Sequence, residues 1–250
     1  MAKNITNFLS ILSICIAAGF FFSCKKETAV NNFVSSASVN NDASVVLEAV
    51  DGATRLTLKP GLTGGQDSYV SKIDNDPNDG NTNLNFTHEL VASKFYYYGQ
   101  LATQRSYIKF DSLIKVPATA KIVSARLYLY GESSSLSFPY GNSYPSAINP
   151  PNPCLIQRVT GGNWDQSTIT WNNKPETTDK YQDTIPASAS EWDYNTSVDV
   201  TKMVQLMVKS SVNYGFCIRL VTEEDYRILE FSTSEASNSA LRPKLVIVYK

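Results

Sequence analysis

Hydrophobic and polar residues alternate along much of the chain. This two-residue period predicts short β-strands, because successive side chains of a strand point to opposite faces. The clearest example is residues 122–130, where Ala125, Leu127 and Leu129 fall on one face. The residues between them are polar or aromatic, as expected for a strand that has one face in a core.

Two tryptophans mark the most distinctive stretch of this pattern, residues 160–175. Between Trp164 and Trp171, two threonines alternate with the apolar residues, which predicts a half-buried strand with Ile169 and Trp171 pointing inward. Pro175 ends this strand, since proline has no N–H group to donate to a sheet.

Turn residues separate the other predicted strands. The dipeptide Asp51-Gly52 is typical of a type I′ hairpin, and pairing across it places Glu48 opposite Arg55. The segments that we predict as further strands are residues 45–50, 53–59, 66–70, 83–92, 95–98, 106–110, 154–160, 191–200, 214–221, 227–232 and 244–249.

One segment, residues 201–210, follows a helical period instead. Its apolar stripe consists of Met203, Val204, Met207 and Val208. Residues 131–153 show no period and predict a long loop, a kind of loop that often carries function. About ten strands and one short helix together predict an all-β protein with a β-sandwich fold, formed by a single domain over residues 45–250.

The amino-terminal residues are typical of an export signal. A positively charged start precedes an uncharged apolar run, residues 8–22, which is short for a membrane span. The run ends at Ser23-Cys24, as in bacterial lipoprotein signals whose cysteine is lipidated after cleavage. We therefore predict a signal peptide (1–23), a lipidated Cys24, a flexible tether (24–44) and an outer-membrane location in the cell envelope. An ordinary cleaved signal with a free cysteine is the alternative.

Composition and charge disfavour two classes of function. The formal net charge is −1, so no basic surface predicts binding to nucleic acid. His88 is the single histidine, and no G-x-S-x-G motif accompanies it, which leaves little basis for a Ser-His-Asp hydrolase. A hydrophobic content of 42% is sufficient for a folded core.

Two cysteines, Cys154 and Cys217, remain in the predicted exported domain, and both lie in apolar strand-like runs. In an oxidising compartment they could form a disulfide or remain separate buried thiols. The residues by themselves leave both alternatives open.

An acidic loop, residues 74–80, contains Asp74, Asp76 and Asp79 at a spacing similar to that of calcium-binding loops. The alternative is an ordinary turn, since Asp, Asn, Pro and Gly are the common turn residues. A structural calcium ion is the one cofactor that the sequence suggests.

A series of motifs along residues 54–250 resembles the DNRLRE-domain family, which is also described as a type of carbohydrate-binding module. The resemblance implies a jelly-roll-like sandwich on a secreted or surface protein associated with polysaccharide. Gln166 stands where that family usually has Glu, and the loop 131–153 is longer than is typical. The motifs are residues 56–61 (LTLKPG), 67–70 (DSYV), 105–111 (RSYIKFD), 122–129 (IVSARLYL), 158–160 (RVT), 164–175 (WDQSTITWNNKP), 199–201 (DVT), 214–216 (YGF), 231–235 (FSTSE) and 242–246 (RPKLV).

We therefore predict binding of a polysaccharide or glycan without catalysis. Exposed aromatic rings pack against the C–H faces of sugars, and neighbouring polar side chains bind the hydroxyls. For each ring the alternative is packing in the core or at a sheet edge, and for the arginine it is an ion pair with a neighbouring carboxylate. The candidate ligand-binding residues are Tyr96, Tyr98, Arg105, Tyr140, Tyr144 and Trp192.

Two other functions stay open at this stage. A structural or adhesive envelope subunit that binds protein has no distinguishing motif. A polysaccharide hydrolase or lyase would need two carboxylates at a defined separation, and Glu223-Glu224-Asp225, Glu230 and Glu235 are available. No catalytic motif surrounds any of them.

Overall fold

The computed structural model of the chain describes residues 35–39, 43–97, 99–135, 141–143 and 150–250; for residues 35–39, 43 and 97 it describes the backbone. The predicted signal peptide and Cys24 lie outside the described residues. So do three of the candidate ligand-binding residues, Tyr98, Tyr140 and Tyr144.

The described residues form thirteen strands, one α-helix and three short 3₁₀ helices. The 3₁₀ helices are Asn85–Thr87, Asp111–Lys115 and Ser239–Leu241. The α-helix, α1, is Thr201–Ser210, as predicted. The strands are β1 (Ser35–Val39), β2 (Ala43–Val50), β3 (Ala53–Lys59), β4 (Gly65–Ile73), β5 (Glu89–Tyr97), β6 (Gln100–Phe110), β7 (Ile122–Leu129), β8 (Cys154–Val159), β9 (Thr177–Ile185), β10 (Thr196–Asp199), β11 (Phe216–Leu220), β12 (Arg227–Ser232) and β13 (Lys244–Tyr249).

The strands build two antiparallel sheets. The first sheet has the order β1-β2-β3-β13-β7-β10, and the second has the order β12-β5-β6-β11-β8-β9, with β4 also paired to β6. Apolar side chains from both sheets and from α1 meet in one core, which includes Leu127, Ile247, Ile108 and Phe216. The predicted all-β sandwich with one short helix is thus confirmed.

The predicted hairpin at Asp51-Gly52 is present. Both residues have positive φ angles, 48° and 71°, as a type I′ turn requires. The register pairs Glu48 with Arg55, and their side chains form an ion pair at 3.4 Å. Ala125, Leu127 and Leu129 of β7 are fully buried, as their alternation predicted.

Part of the predicted tether is a strand. Residues 35–39 form β1, which pairs antiparallel with β2 from Ser35↔Leu47 to Val39↔Ala43. The composition of this segment suggested a linker, but its alternation of serine with alanine and valine also suits a strand at the edge of a sheet.

Three other strand predictions differ from the structure. Residues 83–88 contain a 3₁₀ helix, and the strand starts at Glu89. In the segment 191–200, regular strand structure is confined to β10. The whole of β9 was missed, because its sequence is mostly polar and its side chains are largely exposed at the edge of the second sheet.

The tryptophan segment, residues 160–175, forms turns rather than the predicted strand. Backbone N–H groups of Thr168 and Ile169 donate to the carbonyl of Asp165, at 3.1 and 2.9 Å. Ile169 is buried as predicted, whereas Trp171 is half-buried. The segment therefore satisfies its backbone hydrogen bonds locally and still buries an apolar side chain.

This segment covers the outer face of the second sheet. Trp164 and Ile169 pack with Tyr107 of β6 and Cys217 of β11 in a second, smaller apolar cluster. The indole N–H of Trp164 donates to the carbonyl of Tyr214 at 2.8 Å. The central strands of the second sheet are consequently buried on both faces.

The two cysteines do not form a disulfide; both are free and buried. Cys154 lies in the core between the sheets, whereas Cys217 lies in the cluster under the tryptophan segment, on the opposite face of the sheet. Because adjacent strands place the two side chains on opposite faces, no bond between them is possible, and the alternative of two separate thiols is correct.

A buried carboxylate on β12 gives the fold a pH dependence. Burial, followed by the charge of Glu89, raises the pKa of Glu230 from 4.5 to about 8. The folded state therefore keeps a proton that the unfolded chain releases, and this group lowers stability as pH rises from about 4.5 to about 8.

We expect Glu230→Gln to remove this contribution, since the amide is neutral at every pH. The free energy of unfolding of the natural chain should fall between pH 5 and pH 8 by up to about 1.4 kcal/mol per pH unit more than that of the variant. Urea unfolding at pH 5, 6.5 and 8 measures the difference, with Glu176→Gln as an exposed control. Parallel pH profiles for the natural chain and Glu230→Gln would contradict the prediction.

Candidate functional site

An ion pair anchors the turn between β11 and β12 to the second sheet. The guanidinium of Arg105 on β6 donates from Nε and Nη2 to the two carboxylate oxygens of Glu223, at 2.8 and 2.9 Å. Both side chains are about three-quarters buried, with exposed fractions of 26% and 23%. Of the two roles predicted for Arg105, the structure shows the ion pair with a carboxylate.

Two cations lie over the ring of Trp171. The guanidinium carbon of Arg105 is 5.0 Å from the ring centroid, and Nζ of Lys174 is 4.1 Å from it. Burial, followed by the charge of Arg105, lowers the pKa of Lys174. These cation–π contacts explain how a half-buried tryptophan is held at this surface, and they occupy its ring.

The same turn continues into an exposed aromatic cluster. Tyr96 and Tyr226 have exposed fractions of 42% and 52%, and their ring centroids are 5.6 Å apart. The ring of Phe95 packs almost perpendicular to the ring of Tyr226, with the two centroids 5.9 Å apart. The hydroxyl of Tyr96 donates to Asp225 at 3.5 Å, and the charge of Asp225 raises the pKa of Tyr96.

A groove of about 590 Å³ opens beside Tyr96. One wall is the end of β4 with the start of the acidic loop, and the other is the hairpin between β5 and β6, where Gly99 has a φ angle of 79°. We call this feature the Tyr96 groove. Its lining residues are Ile73, Asn75, Asp76, Tyr96, Gly99, Gln100 and Leu101.

The structure brings together some of the predicted ligand-binding residues. Tyr96 and Arg105 both contact the turn 221–226, through Asp225 and Glu223. Trp192 is half-buried elsewhere, in a loop where its carbonyl accepts from the Ser190 hydroxyl at 2.7 Å.

Sequence reasoning missed several residues of this site, among them three with polar or aromatic side chains. Tyr226 was not predicted as a ligand-binding residue. Its position directly after three acidic residues, Glu223-Glu224-Asp225, is the signal that could have identified it. Asn75 and Gln100 were missed because they are ordinary polar residues of turns, and nothing along the chain marks them as neighbours.

The three carboxylates of the acidic loop have partners of their own. Asp74 pairs with the ammonium of Lys94 and accepts from the Thr103 hydroxyl at 2.8 Å. Asp76 accepts from the backbone N–H of Asn78 in the loop at 2.8 Å, and Asp79 accepts from the backbone N–H of Ile73 at the end of β4 at 2.6 Å. In the described part of the chain no group of three or more His, Cys, Asp or Glu side chains is arranged to hold a metal ion.

The loop also packs against the tryptophan segment. The amide of Asn172 donates to the carbonyl of Asp79 at 3.1 Å, and a Cβ atom at Gly80 would lie 2.9 Å from Oδ1 of Asn172. Gly80 also has a φ angle of 95°. Both the space and the backbone angle therefore call for glycine, and the loop supports the site wall.

A second surface with an aromatic residue lies on the outer face of the first sheet. It forms a groove of about 420 Å³ that includes Arg55, Arg126, Tyr128 and Lys244. Nζ of Lys244 lies 4.6 Å from the ring centroid of Tyr128. Because this ammonium covers the tyrosine ring, Tyr96 offers the more accessible aromatic surface of the two.

Comparison with known protein families identifies the family of the chain. The model of carbohydrate-binding module family 96 matches residues 60–249, which include β4 to β13. The chain belongs to this family. The membership points to a binding module rather than a catalytic domain. No curated protein matches the chain.

Membership in this family suggests that the module binds carbohydrate without catalysing a reaction. Among the described residues of the module, no helix is long and apolar enough to cross a membrane.

We expect the Arg105–Glu223 ion pair to stabilise the module. Glu223→Gln removes a charged partner from a largely buried guanidinium and should lower the free energy of unfolding by about 1–3 kcal/mol in urea. Glu224→Gln is the matched control, because the side chain of Glu224 is 63% exposed and pairs with Arg227 three residues away. It should change stability by less than about 0.5 kcal/mol. Equal effects of the two substitutions would contradict this role.

Proposed function

We propose that the chain binds polysaccharide in the Tyr96 groove without catalysing its breakdown. The observation that carries the proposal is the exposed ring of Tyr96 at the groove, with the exposed ring of Tyr226 packed beside it, within a member of a carbohydrate-binding module family. An aromatic ring exposed at 42% can pack against the apolar C–H face of a sugar.

Polar groups around the groove supply the second part of sugar recognition. The side chains of Asn75 and Gln100 are exposed, and both donate and accept hydrogen bonds. Sugar hydroxyls need such partners in order to leave water without loss of hydrogen bonding. Ile73 and Leu101 add apolar surface between the two walls.

The carboxylates near the groove are engaged in structure. Glu223 binds Arg105, Asp225 accepts from Tyr96, and Asp76 accepts from the backbone of its own loop. Glycoside hydrolysis needs one carboxyl group to give a proton and another to act as base or nucleophile. The contacts of these side chains instead position the tyrosine rings and the groove wall, which supports binding as the function.

We also propose that the protein is exported and held at the outer membrane by lipid on Cys24, and that it belongs to the DNRLRE-domain group. The support comes from the apolar run that ends at Ser23-Cys24 and from the ordered motifs along residues 54–250. Lipid at the amino terminus would attach the module to the bilayer.

Tyr96→Ala should abolish or weaken polysaccharide binding at least about 10-fold, because a stacked ring contributes about 1.5 kcal/mol or more. Affinity electrophoresis of the full chain in gels that contain plant, algal or bacterial polysaccharides measures retardation directly. Any polysaccharide that retards the natural chain is then tested with the variant.

Two control variants make this test specific. Tyr96→Phe keeps the ring and should keep most of the retardation, since stacking does not need the hydroxyl. Tyr128→Ala removes the aromatic residue of the other groove and should leave retardation unchanged. Loss of retardation in Tyr128→Ala but not in Tyr96→Ala would place the site on the first sheet and contradict the proposal.

Cys24→Ser should prevent lipid attachment, because a hydroxyl cannot replace the thiol that is acylated. In a bacterial host labelled with a radioactive fatty acid, the natural chain should carry label and fractionate with the outer membrane, whereas the variant should do neither. Label in both proteins, or in neither, would contradict the anchor.

A further inference from the structure

One carboxylate of β4 is buried in an unusual way. The side chain of Asp67 is 2% exposed, and its Oδ2 accepts from the backbone N–H of Ser234 at 2.9 Å. Its other oxygen, Oδ1, has no hydrogen-bond partner among the described residues. A buried carboxylate oxygen without a partner is costly, so its retention calls for an explanation.

A second oxygen beside Asp67 is also buried without a hydrogen-bond partner. Ser234 is fully buried, its side chain lies against the Asp67 carboxylate, and its hydroxyl oxygen has no partner that meets hydrogen-bond geometry within the described residues. Two buried, unpartnered oxygens therefore belong to side chains that lie next to each other.

A second carboxylate lies beside Asp67. The side chain of Glu235 lies within hydrogen-bonding reach of Asp67 and is half-buried. Neither carboxylate forms an ion pair with any residue that the structure describes. Two neighbouring carboxylates repel strongly when both are charged and partly desolvated, unless a cation binds between them or the two share a proton.

Oxygen atoms of carboxylates and hydroxyls are the ligands that calcium prefers, and Ca²⁺ completes its shell of six to eight oxygens with water. We propose that Asp67, Ser234 and Glu235 form a calcium-binding site. Because Glu235 is half-buried, the ion would reach the site from solvent past this side chain. Asp67 and Ser234 are buried and would bind the ion on the side that faces the protein interior.

The position of this site suggests what the ion does. The N–H of Asp67 donates to Oε1 of Gln166 at 3.1 Å, and Nε2 of Gln166 donates to Glu235 at 3.3 Å. The N–H of Gln166 donates to Oε1 of Gln66, also at 3.1 Å. The site thus joins β4, the tryptophan segment and the loop after β12. Calcium here would stabilise the tryptophan segment where it covers the outer face of the second sheet. This site is separate from the acidic loop 74–80.

The test compares thermal unfolding of the full chain after treatment with EDTA and after addition of CaCl₂. Saturating calcium, at about 100 times its dissociation constant, should raise the melting temperature by about 5–10 °C. Terbium is a second probe, because Tb³⁺ occupies calcium sites and emits light when a nearby tryptophan is excited. Trp164 is two residues from Gln166, whose side chain contacts both Asp67 and Glu235. Calcium should displace the terbium signal.

Asp67→Asn and Glu235→Gln should each weaken calcium binding more than about 10-fold, as isothermal titration calorimetry would measure. Glu235→Gln is the safer variant for folding, since this side chain is only half-buried. Asp76→Asn, in the acidic loop, is the matched control and should leave calcium binding unchanged. If Asp76→Asn loses calcium binding while Asp67→Asn and Glu235→Gln keep it, calcium binds in the acidic loop instead and the proposal is overturned.

Gln166→Glu distinguishes a bound ion from a shared proton, because it adds a third carboxylate next to the other two. With an ion, the variant should bind calcium more tightly and show a larger calcium-induced rise in melting temperature than the natural chain. Without an ion, it should lose stability equally in EDTA and in calcium. The second result, or an absence of any calcium effect on the natural chain, would overturn the proposal.

Discussion

Burial of the central strands of the second sheet on both faces is the constraint on which the rest of the structure depends. Neighbouring residues of β6 and β11 alternate between the main core and the cluster under the tryptophan segment, as Ile108 and Tyr107 do. A sheet buried in this way needs a cover, and a turn-forming segment with Trp164 and Ile169 provides it. The side chains around the cover must then satisfy their polar groups within the protein.

The arrangement of the candidate site follows from this cover. Arg105 projects from the outer face of β6 beside Trp171, so its charge is partly desolvated and needs a partner. Glu223 supplies that partner from the turn between β11 and β12. The same turn then brings Asp225 and Tyr226 to Tyr96. An interaction that stabilises the module therefore also positions the rings proposed to bind polysaccharide.

The proposed calcium site extends the same logic to the other margin of the cover. Gln166 lies within the tryptophan segment and contacts both β4 and the loop after β12. The segment is thus held by apolar packing at its centre and by polar contacts at its edges. The tryptophan segment has no strand structure, so no ladder of backbone hydrogen bonds fixes its position. Its side-chain contacts, apolar at the centre and polar at the edges, must therefore hold it in place.

The sequence by itself determined the parts of the fold that depend on local pattern. The period of β7 predicted its buried face, Asp51-Gly52 predicted the hairpin, and the stripe of Met203 and Met207 predicted α1. These features succeed because alternation, turn chemistry and helical spacing are properties of neighbouring residues. The same period was misleading for Thr168–Trp171, where local turns satisfy the backbone instead of a partner strand.

Only the tertiary structure decided which residues meet. The sequence allowed a bond between Cys154 and Cys217, but the strands place the two side chains on opposite faces of the sheet. The sequence also allowed Arg105 to bind a ligand, but in the folded chain its guanidinium pairs with Glu223. Asp67 and Glu235 come together from distant positions, and the chain carries no local sign of it. The physical reason is that strand pairing over long separations sets these contacts, and a one-residue change of register would move each side chain to the other face.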